Sequence, residues 1–330
     1  MKTLVIIDSN AIVHRAYHAL PKNLANKRGE MTNVTYGFAL ALIKILEDVR
    51  PDYIAAAFDL AAPTFRHTEY VEYKAKRVKA DQELYDQIPR VREMLDAFGV
   101  PIYAVEGYEA DDVIGTVVEQ MNKHDVMVYI ASGDRDVYQL LNGRVRVLML
   151  KHGFKETEIF DHDHLKEIYN LEPEDFIDLK ALAGDQSDNI PGVPGIGPKT
   201  ATDLILKFDT LENLYFSIER EIESGAGVDQ QLSQVSKKLE IRERILKLLV
   251  DNKTQAFQSK RLATIRRDVP FTFDLEGAKW GQYDRVKLKT LFEELEFKSL
   301  LRRFGKDIEG ESKGTTAAQK EKDEQLKLEL

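Results

Sequence analysis

The stretch Thr3-Leu4-Val5-Ile6-Ile7-Asp8 is a short apolar, mostly β-branched run closed by an acid, and it reads as a buried strand that delivers a carboxylate at its end. Similar runs recur at 53–58, 101–105, 126–131 and 145–150. Between them, 34–48 reads as a helix with Phe38, Leu42, Ile45 and Leu46 on one face, and 82–98 and 110–122 read likewise. Strands alternating with amphipathic helices predict an α/β sheet. The first, second and fourth strands are followed by Asp8, Asp59 and, behind a Ser-Gly turn, Asp134. Sites in open α/β sheets form outside the carboxyl ends of strands, so these acids are candidates to converge there.

The second half differs. From about 173 the pattern turns helical, with a Gly/Pro-rich stretch at 191–198. Segment 235–267 carries ten Lys or Arg against three acids, and 63–80 interleaves five bases with Phe65, Tyr70 and Tyr73. A last amphipathic helix is predicted over 286–303. Beyond Phe304 the chain is polar and aperiodic, which predicts a disordered tail over 305–330. The expected divisions are an α/β core over 1–175 with an insertion at 63–87, a helical subdomain over 176–261, and a segment over 262–304 that returns to the core.

Composition narrows the chemistry. The 330 residues include no cysteine, so there is no disulfide framework and no thiolate ligand or nucleophile, and a metal would have to be held by oxygen or imidazole. A charge interrupts the N-terminal apolar run after four residues, and no run approaches the roughly 20 residues of a bilayer span, so a soluble, cytoplasmic protein without membrane association is expected. The net charge of -9 argues weakly against a nucleic-acid coat.

The acids fall into groups: Asp8, Asp59, Glu109 with Asp111 and Asp112, Asp134 with Asp136, and Asp185 with Asp188. Each group alone can be read as a helix or turn cap. Together they point elsewhere, because two carboxylates about 5 Å apart at an effective dielectric near 20 repel by roughly 3 kcal/mol. A pocket of many such groups needs cations, and oxygen-only ligation suits Mg2+ or Mn2+. Two such ions are a recurring device for hydrolysing phosphodiesters. Setting these nine acids aside leaves 47, equal to the 47 Lys plus Arg, so the excess of acid can be concentrated at one place.

Pro191-Gly192-Val-Pro-Gly195-Ile-Gly197-Pro-Lys199-Thr200 is not a nucleotide P-loop, because Pro198 separates the second glycine from Lys199 and no strand precedes it. It fits the turn of a helix-hairpin-helix, with Pro198 at a helix start and backbone N–H groups placed to hold a DNA phosphate.

In this order, Ile-Ile-Asp8-Ser-Asn with Arg15, Phe58-Asp59, Pro63-Thr-Phe-Arg66-His, Tyr73-Lys74-Ala-Lys-Arg77, Tyr108-Glu109-Ala-Asp111-Asp112, Ser132-Gly-Asp134-Arg-Asp136, Gly184-Asp185-Gln-Ser-Asp188-Asn, the 191–200 loop and Leu291-Phe-Glu-Glu-Leu-Glu-Phe resemble the 5′ nuclease, or flap endonuclease-like, family. The resemblance is greatest to the 5′-3′ exonuclease domain of bacterial DNA polymerase I. It spans about residues 3–304. It implies a PIN-like, Rossmann-like fold: a mostly parallel sheet with helices on both faces, a helical arch at 63–87 and a helix-hairpin-helix subdomain. It implies that Asp8, Asp59, Glu109, Asp111 and Asp112 surround one Mg2+ and Asp134, Asp136, Asp185 and Asp188 a second, with Mn2+ as a substitute. Lys74 and Arg77 would contact the scissile phosphate and Tyr73 would stack on a base. Arg15, Arg66, Gly192, Gly195, Gly197, Lys199 and Thr200 would contact DNA, with K+ at the hairpin loop. The expected partner is DNA bearing a 5′ flap, overhang or nick, cut by a monomer. Ser9 departs from the glycine usual after the first Asp, though a small residue still fits there.

Two other readings are weighed. One is a DNA-structure-binding protein of the same fold without activity, which all nine acids oppose. The other is a Mg2+-dependent phosphatase with an Asp nucleophile, which would want an acid where Asn10 stands.

Overall fold

Strand β1 (Lys2–Asp8) lies at the centre of a six-stranded sheet because both of its faces are apolar. Leu4, Val5, Ile6 and Ile7 are all fully buried; Val5 and Ile7 enter one core, Leu4 and Ile6 the other. Such two-sided burial is the condition of an interior parallel strand. In this computed structural model, which describes residues 1–151, 154, 156–222 and 228–302, the strand order is β3-β2-β1-β4-β5-β6. The flanking strands are β2 (Tyr53–Ala57), β3 (Ile102–Tyr103), β4 (Val126–Ser132) and β5 (Val145–Lys151), all parallel, and β6 (Glu156–Phe160), antiparallel to β5. The chain leaves β1 toward β2 on one side and later returns to β4 on the other. A crevice therefore opens at the carboxyl ends of β1 and β4, where the strand order reverses.

Helices cover both faces. On one lie α1 (Ser9–Ala19), α2 (Asn33–Val49), the short α4 (Gln82–Tyr85) and α5 (Ile88–Ala97); on the other lie α6 (Ala110–Met121) and, beyond β6, α7 (His162–Tyr169), while the short α3 (Phe65–Glu69) is tied to α6 through Arg66. A third apolar core is built by α8 (Asp175–Ala183), α9 (Pro198–Phe208), α10 (Leu211–Ile222), α11 (Val228–Leu239), α12 (Glu243–Asp251) and α13 (Lys253–Ala263). The chain then returns: Ile265 and Phe273 join the core beneath α6, and α14 (Arg285–Glu294) contributes Leu288, Leu291 and Phe292 to the α2–α5 core.

Four expectations need correction. β6 was not foreseen, because Glu156-Thr-Glu-Ile-Phe is an exposed edge strand with little apolar pattern. The single helix expected over 82–98 is broken between α4 and α5, where Pro89, in the first turn of α5, has no N–H to continue a helix from Tyr85. The helix expected over 286–303 stops at Glu294. Glu296 turns left-handed (φ 59°) and the Phe297 N–H bonds back to the Phe292 carbonyl at 2.8 Å, which lets Phe297 bury against Tyr36 and Phe292 before a further helical turn at 298–302. The 63–87 segment is not a continuous helical arch: between α3 and α4, residues 70–81 form turns and extended chain. The tail expected over 305–330 lies outside the described residues.

The α8–α9 pair is a helical hairpin whose loop folds back on itself. Gly192 has φ 61°, and a Cβ there would lie 2.2 Å from the Gly184 nitrogen, so only glycine closes this loop. Asp185 and Ile190 exchange backbone hydrogen bonds at 2.8 and 2.9 Å, holding the intervening acids in one tight bend. Among the described residues, no helix is long and apolar enough to cross a membrane.

Candidate active site

Asp8 is the N-cap of α1: its Oδ1 accepts from the Ala11 N–H at 3.1 Å, and its Oδ2 accepts from the Ser132 hydroxyl at 2.6 Å across the β1–β4 crevice. Ser132 Oγ in turn accepts from the Asp134 N–H at 2.9 Å. Asp59, just past β2, is held by two bonds: its N–H donates to Asn10 Oδ1 (3.1 Å) and its Oδ1 accepts from Ala110 N–H (2.6 Å) at the start of α6. The first turn of α6 adds Asp111, so the strand ends and one helix N-terminus aim four carboxylates, Asp8, Asp59, Asp111 and Asp134, into a cleft of about 540 Å3. None of the four makes an ion pair with a basic side chain among the described residues.

The electrostatic consequence is large. Burial pushes the Asp8 carboxyl up to about 7, with Asp134 and Asp59 adding repulsion and the Ser132 and Ala11 bonds opposing it. Asp111 is driven well above the carboxylate range by burial and then by Asp8, Asp134, Asp136 and Asp59. Burial also raises Asp59, against the Ala110 N–H and Lys74.

A second set behaves differently. Lys74 Nζ lies 2.8 Å from Glu109 Oε1 and 3.9 Å from Asp188 Oδ2, and Arg77 pairs with Asp188. Lys180, on the last turn of α8, bridges Asp136 and Asp185. Asp185 is held down at about 2: burial opposes ionisation, but Lys180 and the Ser187 hydrogen bonds outweigh it. Asp188 is lowered as Lys74 and Arg77 overcome burial. Asp136 is nevertheless pushed up to about 7, since burial and Asp134 outweigh Lys180. Residues 72–77 are tied to the loop after α8: Lys74 N–H donates to the Asp188 carbonyl (2.8 Å), Asn189 Nδ2 to the Glu72 carbonyl (2.6 Å) and Arg77 Nε to the Ser187 carbonyl (3.2 Å).

Four assignments made from sequence are corrected. Asp112 is not in the cleft. It is fully buried, its two oxygens accept from Arg66 Nη1 and Nη2 at 2.7 and 2.8 Å, and the Glu109 and Arg266 N–H groups occupy its remaining lone pairs, so it has no valence free for a metal. Arg66 is not available to DNA either, because its other donors bond the Leu262 and Thr264 carbonyls. Together they tie α3, α6 and the chain leaving α13. Tyr73 is 3% exposed, its ring packed with Ile190, Leu262 and Ala263 and its hydroxyl donating toward Glu109 and Asp188, so it is not an open stacking platform. Gly192 is buried, its N–H donating to Ser259 Oγ (3.0 Å) and its carbonyl accepting from Gln255 (2.7 Å), which leaves nothing for a phosphate. Gly195, Gly197 and Lys199 lie exposed at the hairpin tip with Thr200 half-buried behind them. Arg15 is half-buried beside Gly133, Asp134 and Lys180 on the wall of an adjoining cleft of about 500 Å3.

Lys180, Ser132 and Asn10 were missed as site residues. Ser132 and Asn10 stood inside recognised motifs, but nothing local marks Lys180 apart from other lysines. Among the described residues no three acidic or histidine side chains already surround a common point. The donor set is nevertheless all oxygen, and four crowded carboxylates have no basic partner, which is the condition that divalent cations relieve.

Residues 3–170 match the N-terminal, resolvase-like domain of the 5′-3′ exonucleases, and residues 171–286 match their C-terminal domain, described as a SAM fold. The chain belongs to the 5′-3′ exonuclease family. This exonuclease-family chain is 40% identical over 306 residues to DNA polymerase I of Bacillus subtilis, covering 93% of the chain and 32% of the relative. It is 34% identical over 299 residues to DNA polymerase I of Mycobacterium bovis, covering 90% and 31%. It thus spans about a third of the length of these curated relatives. Among solved structures, the bacteriophage T5 D15 flap endonuclease (D155K), in a pseudo-enzyme-product complex with DNA and metal ions, superposes with a TM-score of 0.60 at 21% identity, covering 89% of this chain and all of that one. The catalytic core of Rad2 with DNA substrate superposes with a TM-score of 0.51 at 22% identity, covering 89% and 86%. These last likenesses establish the fold.

Proposed function

We propose that this chain is a structure-specific 5′-3′ exonuclease and flap endonuclease that hydrolyses phosphodiester bonds near the 5′ end of a DNA strand, in primer removal and repair. The observation that carries the reading is the unpaired quartet Asp8, Asp59, Asp111 and Asp134 at the strand-order reversal, facing Lys74 and Arg77 in the same cleft. Two Mg2+ ions, with Mn2+ as a substitute, fit this chemistry: Asp8, Asp59, Glu109 and Asp111 would hold one, and Asp134, Asp136, Asp185 and Asp188 the other. When bound, they supply charge to polarise the phosphate and to lower the pKa of the attacking water.

The chain's own residues do the rest. The carboxylates fix the reacting phosphate's place. Lys74 and Arg77, now paired with Glu109 and Asp188, can exchange those partners for phosphate oxygens, charge-assisted bonds aimed where negative charge develops. The exposed hairpin tip at Gly195–Lys199 suits a sequence-independent grip on duplex backbone, with K+ as a further expected ligand there. The same reading expects a monomer working in the cytoplasm, at the nucleoid in a bacterium.

The test is cleavage of a labelled 5′-flap duplex with Mg2+ and with EDTA, alongside a small phosphate ester. Mg2+-dependent cutting of the flap alone supports the proposal. Hydrolysis of the ester, or flap cutting that survives EDTA, contradicts it.

A further inference from the structure

We propose that Lys180 is a built-in counter-ion that competes with a divalent cation for Asp136 and Asp185, so that the two halves of the site bind cations with different affinities. The inference rests on the two-cation reading above and deepens it. Lys180 Nζ contacts Asp136 Oδ1 and lies 2.5 Å from Asp185 Oδ2, and its side chain is only 22% exposed. It leaves the last turn of α8, where the helix C-terminus also favours positive charge. The ammonium therefore stands between the two acids that a cation in this half of the site would need.

Three of the four acids in the other half have no equivalent. Asp8, Asp59 and Asp111 receive hydrogen bonds from backbone and Ser132 but no ammonium or guanidinium partner among the described residues. Lys74, as buried as Lys180, pairs with Glu109 alone among the acids of that half. A divalent ion can take Asp8, Asp59 and Asp111 without displacing a base, and competes with Lys74 for Glu109 alone. On the Asp185 side it must expel an ammonium, because two cations a few ångströms apart repel strongly in a half-buried setting. Cation binding is thus ordered, the Asp8 side filling first.

The experiment is calorimetric titration of Mn2+ into the metal-free full chain without DNA, for wild type, Lys180→Met, Lys180→Gln and Lys180→Arg, with thermal melting of each to confirm folding. Wild type is expected to bind two ions of unequal affinity. Both neutral variants should bind the weaker ion at least tenfold more tightly and leave the tighter ion within twofold, while Lys180→Arg stays near wild type. Unchanged or weakened binding of the second ion in folded neutral variants overturns the counter-ion role alone. Loss of folding in both neutral variants also overturns it, making Lys180 a structural tie. A wild type that binds fewer than two ions overturns the two-cation reading and this inference with it.

Discussion

Asp8, Asp59, Asp111 and Asp134 reach the cleft from strand ends and the first turn of α6 and meet no basic partner among the described residues, whereas Glu109, Asp136, Asp185 and Asp188 face Lys74, Arg77 and Lys180. Of these second four, two lie in the loop after α8 and one begins the 3-10 turn behind β4. The difference teaches how repulsion is tolerated in each place. Where the sheet itself fixes the acids, backbone and Ser132 hydrogen bonds keep them in position and the charge is left uncompensated. Where loops bring them, the chain supplies its own cations.

The largest effect that would break this contrast is removal of an unpaired acid. Asp134→Ala should lower flap cleavage about ten-thousandfold while DNA binding, followed by fluorescence anisotropy, survives. Near wild-type cleavage would remove Asp134 from the chemistry.

Next comes the acid that the structure separates from the site. Arg66→Met leaves Asp112 buried without its partner and should cost about 3–5 kcal/mol of stability, read by denaturant unfolding. If Arg66→Met cost under about 1 kcal/mol, the pair would not be the tie described above.

The pH dependence sharpens the comparison further. Asp8 and Asp136 titrate near 7 in the fold against about 3.9 in an unfolded chain, so between these values the folded state binds more protons. Metal-free stability should therefore fall as pH rises from about 4 to 7. The lowered Asp185 and Asp188 contribute in the opposite sense, their stabilisation being lost only in acid, below about 4. Mg2+ at a hundred times its dissociation constant should restore about 2.7 kcal/mol at pH 8 and less at pH 5, measured as the shift in melting temperature. Equal shifts at both pH values would count against cation binding at these carboxylates.

The smallest expected effect lies away from the cleft. Lys199→Ala should weaken duplex binding severalfold and reduce the salt dependence by about one ion, without changing the single-turnover rate at saturation. An unchanged salt slope would exclude Lys199 from backbone contact.

Much of this was legible in the chain. Asp8, Asp59 and Asp134 could be placed because each follows an apolar run whose only stable home is a two-sided sheet. Adjacent acids were harder: Asp111 and Asp112 are neighbours in sequence, but consecutive helical residues point about 100° apart, and one faces the cleft while the other faces Arg66. The same motif identity hid the burial of Tyr73 and Gly192, since being part of a motif does not reveal whether a group's hydrogen bonds are already spent. Lys180 was illegible because its partner Asp136 is brought close only by the tertiary fold.

The ties between residues 72–77 and 187–189 have a kinetic meaning. Five hydrogen bonds, two of them from Tyr73 and Arg77 to the Asp188 carboxylate itself, couple this segment with the loop carrying Asp188. Movement of the segment and of the loop on DNA binding then belongs to one step in time, and stopped-flow fluorescence from probes on the two should return a single shared relaxation rather than two.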